Sequence, residues 1–209
     1  CSRRQRQMCI RDSVVSVLMQ HFALACMVSV IWVILGYSLA FSEGNEWIGG
    51  FSNIFMNAID VNSPSGSIPE SLFATFQMTF AIITPALMIG AFVERIKFSA
   101  MLIFLSMWLL VVYVPVTHWV WGGGILSSWG TMDFAGGIVV HATAGTAALV
   151  TALTLGKRRG FPKSITPPHS PILTMIGASM LWIGWFGFNA GSALGANGGA
   201  GMALSLIHI

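Results

Sequence analysis

Asp133 and His141 stand eight residues apart in the run Asp133-Phe-Ala-Gly-Gly-Ile-Val-Val-His141, inside a long apolar stretch. A carboxylate and an imidazole at that spacing can bind a cation, hold a polar ligand or pass a proton. On a continuous helix the spacing corresponds to roughly 12 Å, which is expected to set Asp133 near one membrane face and His141 near the midplane. Ionisable side chains inside a bilayer are costly and mark transport paths, proton relays or ligand sites. The competing reading is a histidine hydrogen-bonded to a neighbouring helix as packing glue.

The elements that position this pair have to cross a membrane. Of 209 residues, 55% are hydrophobic and 8% charged, a balance that belongs to the membrane class. Five segments are long enough to span about 30 Å of hydrocarbon: Val14 to Phe41, Pro69 to Phe92, Phe98 to Pro115, Met132 to Leu155 and Pro171 to Ala193. The expected fold class is therefore all-α, a polytopic membrane protein. Gly187, Gly191 and Gly195 repeat at the four-residue spacing that lets membrane helices approach closely, and Ala135, Gly136 and Gly137 are expected to form a second flat, small-residue surface.

The two ends call for separate treatment. Leu204-Ser-Leu-Ile-His-Ile209 can be encoded by CTG TCT CTT ATA CAC ATC, whose extended reverse complement reads Met-Cys-Ile-Arg-Asp-Ser, the residues Met8 to Ser13. An inverted repeat of this kind resembles the mosaic end of a sequencing adaptor, so 1–13 and 204–209 are expected to be adaptor scar and 14–203 a fragment of a longer natural protein. The alternative is a natural basic amphipathic N-terminus, which does not explain the match between the ends. Without Arg3, Arg4, Arg6, Arg11 and Asp12 the formal charge of +3 falls to zero, with six basic and six acidic residues left. No nucleic-acid partner follows from the charge. Cys26 is then alone in an apolar segment, with no disulfide or metal framework.

Loop charge sets the orientation. Arg95, Lys97, Lys157, Arg158, Arg159 and Lys163 fall between segments two and three or between four and five, whereas the other two loops have no Lys or Arg. The positive-inside rule puts 93–97 and 156–170 in the cytoplasm and 42–68 and 116–131 outside a cell membrane. Phe76, Trp121, Asp133 and Ser192 then gather toward the outer face, with Phe80 and Phe188 one turn deeper and His141 below them. Taken singly, each ring also fits a lipid-facing belt or core position. Together the aromatic faces and hydroxyl suit capture of a small cation. Each cation–π contact contributes about 2 kcal/mol when desolvated, while an unpaired ion in a low-dielectric interior costs on the order of tens of kcal/mol in the idealised limit. Such a path favours the neutral base, with the proton removed at the entrance and the imidazole hydrogen-bonding NH₃ or relaying the proton.

Residues 14–203 resemble the ammonium transporter (Amt/Mep/Rh) family. The matching stretches are Gly36-Tyr-Ser-Leu-Ala-Phe41, Phe76-Gln-Met-Thr-Phe80, Glu94-Arg-Ile-Lys-Phe-Ser99, Trp119-Val-Trp-Gly-Gly-Gly124, Asp133 to His141, the basic turn Gly156-Lys-Arg158, and Trp185-Phe-Gly-Phe-Asn-Ala-Gly-Ser192. Trp121 and Ser192 give it the Amt rather than the Rh character. The resemblance implies an eleven-helix inverted-repeat transporter fold, of which this chain holds about helices two to six, and a homotrimer when complete. It implies that Phe76, Trp121 and Ser192 form the outer ammonium-recruitment site, that Phe80 and Phe188 gate the pore, that His141 is the first of two pore histidines, and that Asp133 is structural and electrostatic. The second pore histidine belongs to the absent half. Ala142 and Thr143 stand where relatives often have Ile-Asn, with little expected effect on the pore. Ammonium or ammonia is the implied substrate, with methylammonium, the lipid bilayer and a cytoplasmic regulatory protein as further candidate partners, and no cofactor or metal. The alternatives are an ammonium sensor with a fused output domain and a non-transporting membrane bundle. An enzyme is not expected, because no nucleophile–base pair or metal-ligand cluster is present. His118, read as an outer-loop residue, and His21 and His169 are expected to be ordinary polar positions without partners.

Overall fold

The computed structural model of the chain describes residues 3–158, 161–163 and 168–205, with side chains from Val14 onward. Arg159 of the basic loop and the outermost parts of both terminal tracts, 1–2 and 206–209, lie outside the described residues, as do the side chains of 3–13. Five helical segments are long and apolar enough to cross a membrane: α1 (Val14–Phe41), α2 (Glu70–Phe92), α3 (Phe98–Ser128), α4 (Gly137–Leu155) and α5 (Pro171–Ala193). The helix of α1 is already formed from Arg3. A short helix, α6 (Gly198–Ser205), follows α5. The loop before α2 contains a two-residue hairpin, β1 (Pro64–Ser65) with β2 (Ile68–Pro69), paired antiparallel.

Three boundaries differ from the sequence expectation, each for a local reason. Pro69 is the extended cap of α2, and Glu70 opens the helix with its negative charge in the first turn. The third segment does not stop at Pro115. A π-turn at Leu109–Tyr113 precedes the proline, and the helix resumes as Val114–Trp121. Proline lacks an N–H and clashes with the preceding turn, and a π-bulge absorbs both defects without ending the helix. The external stretch expected at 116–131 therefore begins in helix, breaks after Trp121 and holds one more helical turn at Ile125–Ser128. The fourth segment starts at Gly137 rather than Met132, because Gly136 has a left-handed backbone with φ of 90°.

Packing centres on α2. It lies along α4 on one side and α1 on the other, while the end of α1 meets the end of α3. Trp32, Tyr37, Phe80, Phe92 and Tyr113 are fully buried among these helices. The Trp32 indole donates to the Ala74 carbonyl at 3.2 Å, which stitches α1 to α2 at membrane depth. At the basic end, Arg95 donates to the carbonyls of Ala91 and Gly156, and Arg158 donates to Gly90 O at 2.9 Å. Two arginines thus bind the C-terminal carbonyls of α2 and tie the loop after α4 to it, the charge sign that a helix C-terminus favours.

α5 is the exception. None of its membrane-spanning window is buried by the rest of the chain, and Ile172, Met175, Met180 and Ile183 are all more than half exposed. Among the described residues no helix packs along the whole glycine repeat. A side chain at Gly187 would meet nothing within 4 Å, Gly191 faces Phe76, and Gly195 faces the side chain of Asn197. Gly136 and Gly137 likewise serve backbone geometry rather than a flat packing surface.

Candidate functional site

Asp133 is the first residue to place. It lies ahead of α4, not on it, so the expected pair on one continuous helix is corrected. Its Oδ1 accepts from the backbone N–H groups of Gly136 and Gly137, both at 2.7 Å. Its Oδ2 accepts from Ile138 at 2.8 Å and Val139 at 3.1 Å. A helix N-terminus leaves four N–H groups without intrahelical partners, and one carboxylate collects donors for all of this first turn. The left-handed Gly136 makes the return possible, and it requires glycine twice over: a Cβ there would lie 2.3 Å from Val140 Cγ2.

Trp121 is joined to the same feature. Its indole N–H donates to the Asp133 carbonyl at 2.6 Å. Its ring meets Phe80 edge-on with centroids 5.3 Å apart. Phe80 also receives the edge of Phe76 at 5.0 Å and stacks on Phe188 at 4.2 Å with planes 26° apart. Three rings, one each from α2, α3 and α5, therefore converge on Phe80, which is 1% exposed. Contacts of this geometry contribute about 0.5–1.5 kcal/mol each beyond area burial.

Ser192 lies in the last turn of α5 and its hydroxyl donates to the Phe188 carbonyl, which leaves its lone pairs free to accept. Its neighbour Gly191 is the α5 residue against the Phe76 ring, with a Cβ position 3.9 Å from Phe76 Cζ. Phe76, Phe80, Trp121 and Phe188 are thus brought into direct contact, and Ser192 and Asp133 are each tied to one of those rings through a backbone carbonyl.

His141 sits apart from the ring cluster. It belongs to a π-turn, Gly137–Ala142, and its ring has no hydrogen-bond partner among the described residues. It lines a cavity of about 810 Å³ together with Asp133, Trp182, Trp185 and Asn189. Within this chain the imidazole faces that cavity and not a neighbouring described helix.

Three residues carry more than sequence reasoning assigned. Trp182 and Trp185 line the cavity with His141; Trp185 lies in a quoted motif, and the i, i+3 aromatic spacing was the available signal. His118, expected in a loop without partners, is a buried helical residue whose ring nitrogens lie 2.9 Å from Ala40 O and 2.8 Å from Asn45 O. The early end given to the third helix at Pro115 hid it. His21 also has a partner, the Val17 carbonyl of its own helix at 2.8 Å.

A profile of the Ammonium Transporter Family matches residues 4–207. The chain is 48% identical over 188 residues to an ammonium transporter of Bacillus subtilis, covering 89% of this chain and 46% of that protein. The crystal structure of Candida albicans Mep2 superposes with a TM-score of 0.74 at 41% identity, over 82% of this chain and 39% of the Mep2 chain. A structure described as a Sensor Amt Protein gives a TM-score of 0.78 at 28% identity, over 91% of this chain and 49% of that one. The chain spans about half the length of the curated relatives it matches. With five membrane-length helices and a family match over nearly its whole length, this chain belongs to the ammonium transporter family.

Proposed function

We propose that the complete protein carrying this region moves ammonium across a cell membrane, as NH₃ or as NH₃ plus a proton. The observation that carries this reading is the convergence of three rings, from three helices, on Phe80, on the side of the bundle away from the arginine-bound carbonyls. Phe76, Trp121 and Ser192 recruit the cation there, through ring faces and a hydroxyl whose lone pairs remain available. Two or three such contacts contribute about 2 kcal/mol each when desolvated, enough to concentrate ammonium but far too little to carry the ion through hydrocarbon.

Phe80 and Phe188 form the gate. At 4.2 Å between centroids and near-parallel planes, the two rings leave no room for a molecule between their faces, so passage requires one to swing. Phe80 is buried by three neighbours, and Phe188 is the partly exposed member of the pair. Beyond the gate, His141 offers an imidazole to neutral NH₃ or to a departing proton. Asp133 acts from behind: its oxygens are occupied by four N–H groups, so it fixes the start of α4 and adds negative potential without touching the ion. In this reading loops 93–97 and 156–170 are cytoplasmic, loop 42–68 and the segment after Trp121 are external, and the complete protein is a homotrimer with the cytoplasmic loops open to a regulatory partner.

The likeness to a Sensor Amt Protein supports a second reading, the same pore coupled to an output domain. The higher identity to the Bacillus subtilis transporter favours transport. The test uses the complete protein in liposomes. Trp121→Leu is expected to alter recruitment and selectivity at low ammonium, and His141→Ala to abolish electrogenic transport or change its selectivity. Unchanged ammonium-evoked currents in both variants refute the site assignment.

A further inference from the structure

The helical turn of α3 that ends at Trp121, beginning at His118, is held from three directions. The buried His118 ring spans the Ala40 carbonyl of α1 at 2.9 Å and the Asn45 carbonyl of the following loop at 2.8 Å. Ala40 is one of the last residues of α1, whose final carbonyls have no intrahelical donor. Both partners only accept; either neutral tautomer donates to one of them, and the doubly protonated ring donates to both. Trp119 donates from its indole to Trp47 O at 2.8 Å and meets the Trp47 ring edge-on at 5.8 Å. Trp121, three residues after His118, donates to Asp133 O.

The loop that receives these contacts is itself firmly built. Asn45 Oδ1 accepts from the N–H groups of Trp47 and Ile48, and Glu46 O accepts from Ile125 N at 3.0 Å. The approach is so close that a Cβ at Gly122 would sit 2.0 Å from Ala40 O and 2.7 Å from His118 Nδ1. A helix end without such ties frays, and a ring carried on its last turn moves with it.

We propose that His118 is a positioning residue for ammonium recruitment: by clasping the end of α1 and the Asn45 turn, it fixes the helical turn that presents Trp121. This rests on the recruitment role given to Trp121. The clasp acts on where that ring stands before a cation arrives, a preorganisation effect that appears in apparent affinity rather than in maximal flux.

The test measures ammonium-evoked currents in liposomes and amide hydrogen exchange in nanodiscs, on the complete protein. His118→Leu is expected to raise the apparent KM roughly three- to tenfold, the loss expected for about one hydrogen bond of positioning. The maximal current per folded protein is retained, and exchange quickens in 42–50 and 119–126 but not in α2. Gly122→Ala, which forces the same junction apart with His118 intact, gives the same pattern, and His118→Gln, able to reach one carbonyl, gives a smaller KM change. Combined with Trp121→Leu, His118→Leu adds little further change, because both act through one ring. Two results overturn the proposal while leaving the recruitment site standing: Trp121→Leu raises KM and His118→Leu does not, or the two effects multiply in the double variant. If Trp121→Leu leaves KM unchanged, the recruitment role falls and the positioning role falls with it.

Discussion

Asp133→Asn separates the two ways in which a half-buried carboxylate can matter here. The substitution keeps the shape and one oxygen. If that oxygen stays on Gly136 and Gly137, the new amide nitrogen, which only donates, faces the N–H groups of Ile138 and Val139. Stranding two donors costs about 1–3 kcal/mol each, and losing the negative charge at the start of α4 removes about 0.3–2 kcal/mol more. The total is about 2–8 kcal/mol, and water reaching the partly exposed Ile138 brings it toward the lower end. In nanodiscs, the complete protein carrying Asp133→Asn is expected to melt well below its parent, with faster amide exchange over 136–141. Asp133→Glu restores the charge but not the reach to four donors, and should fall between the two. A variant that melts with the parent yet shows a raised ammonium KM refutes this reasoning, because it would mean that the carboxylate meets the cation rather than the backbone.

Two further substitutions check the same architecture. Gly136→Ala combines a left-handed backbone with a Cβ 2.3 Å from Val140 Cγ2, on a valine whose rotamer is fixed by the helix; a loss of about 2–5 kcal/mol is expected. Gly137→Ala should be tolerated in the same melting assay, since its Cβ would meet only Asp133 Oδ1 at 3.9 Å. Trp32→Phe removes a buried indole donor to Ala74 O and part of a ring packed against Tyr37, Phe41 and Tyr113. It should cost about 2–4 kcal/mol of stability and leave the ammonium KM unaltered.

Much of the fold was legible in the sequence, because apolar length and loop charge are what a bilayer selects. α1 and α5 begin and end where hydropathy places them, and the family follows from runs such as Trp185 to Ser192. The convergence of Phe76, Phe80, Trp121 and Phe188 was also within reach, since one sidedness argument brought all four to one end. What was not legible is chemistry carried by the backbone. Asp133 was expected to act structurally and electrostatically, but nothing in side-chain type showed that four N–H groups would occupy its two oxygens, and only the φ of Gly136 reveals why. His118 looked unpartnered because its partners are two main-chain carbonyls, which have no signature in side-chain type.

A second obstacle lies in the helices themselves. Four of the five membrane-length segments contain a π-turn: Trp32–Gly36 in α1, Leu109–Tyr113 in α3, Gly137–Ala142 in α4 and Phe186–Ala190 in α5. Each extra residue rotates everything beyond it by about 100° relative to an uninterrupted helix. A helical-wheel projection from one end therefore misassigns faces at the other, and no amphipathic pattern of constant period can reveal which side chains meet. Two of the proposed site residues, His141 and Phe188, lie inside these turns, and Trp121 lies two turns beyond one. The same irregularity offers a route to function. A π-turn leaves local carbonyls and N–H groups imperfectly paired, so the backbone around His141 and Phe188 can adjust at less cost than a regular helix. The gate proposed here needs one of its two stacked rings to swing, and Phe188 is the ring mounted on such a turn, whereas Phe80 stands in the α-helical part of α2 ahead of Pro85. Within this chain the asymmetry of the backbone thus matches the asymmetry of burial: of the two rings proposed as the gate, Phe80 is enclosed on an α-helical segment, and the partly exposed Phe188 rides on a π-turn.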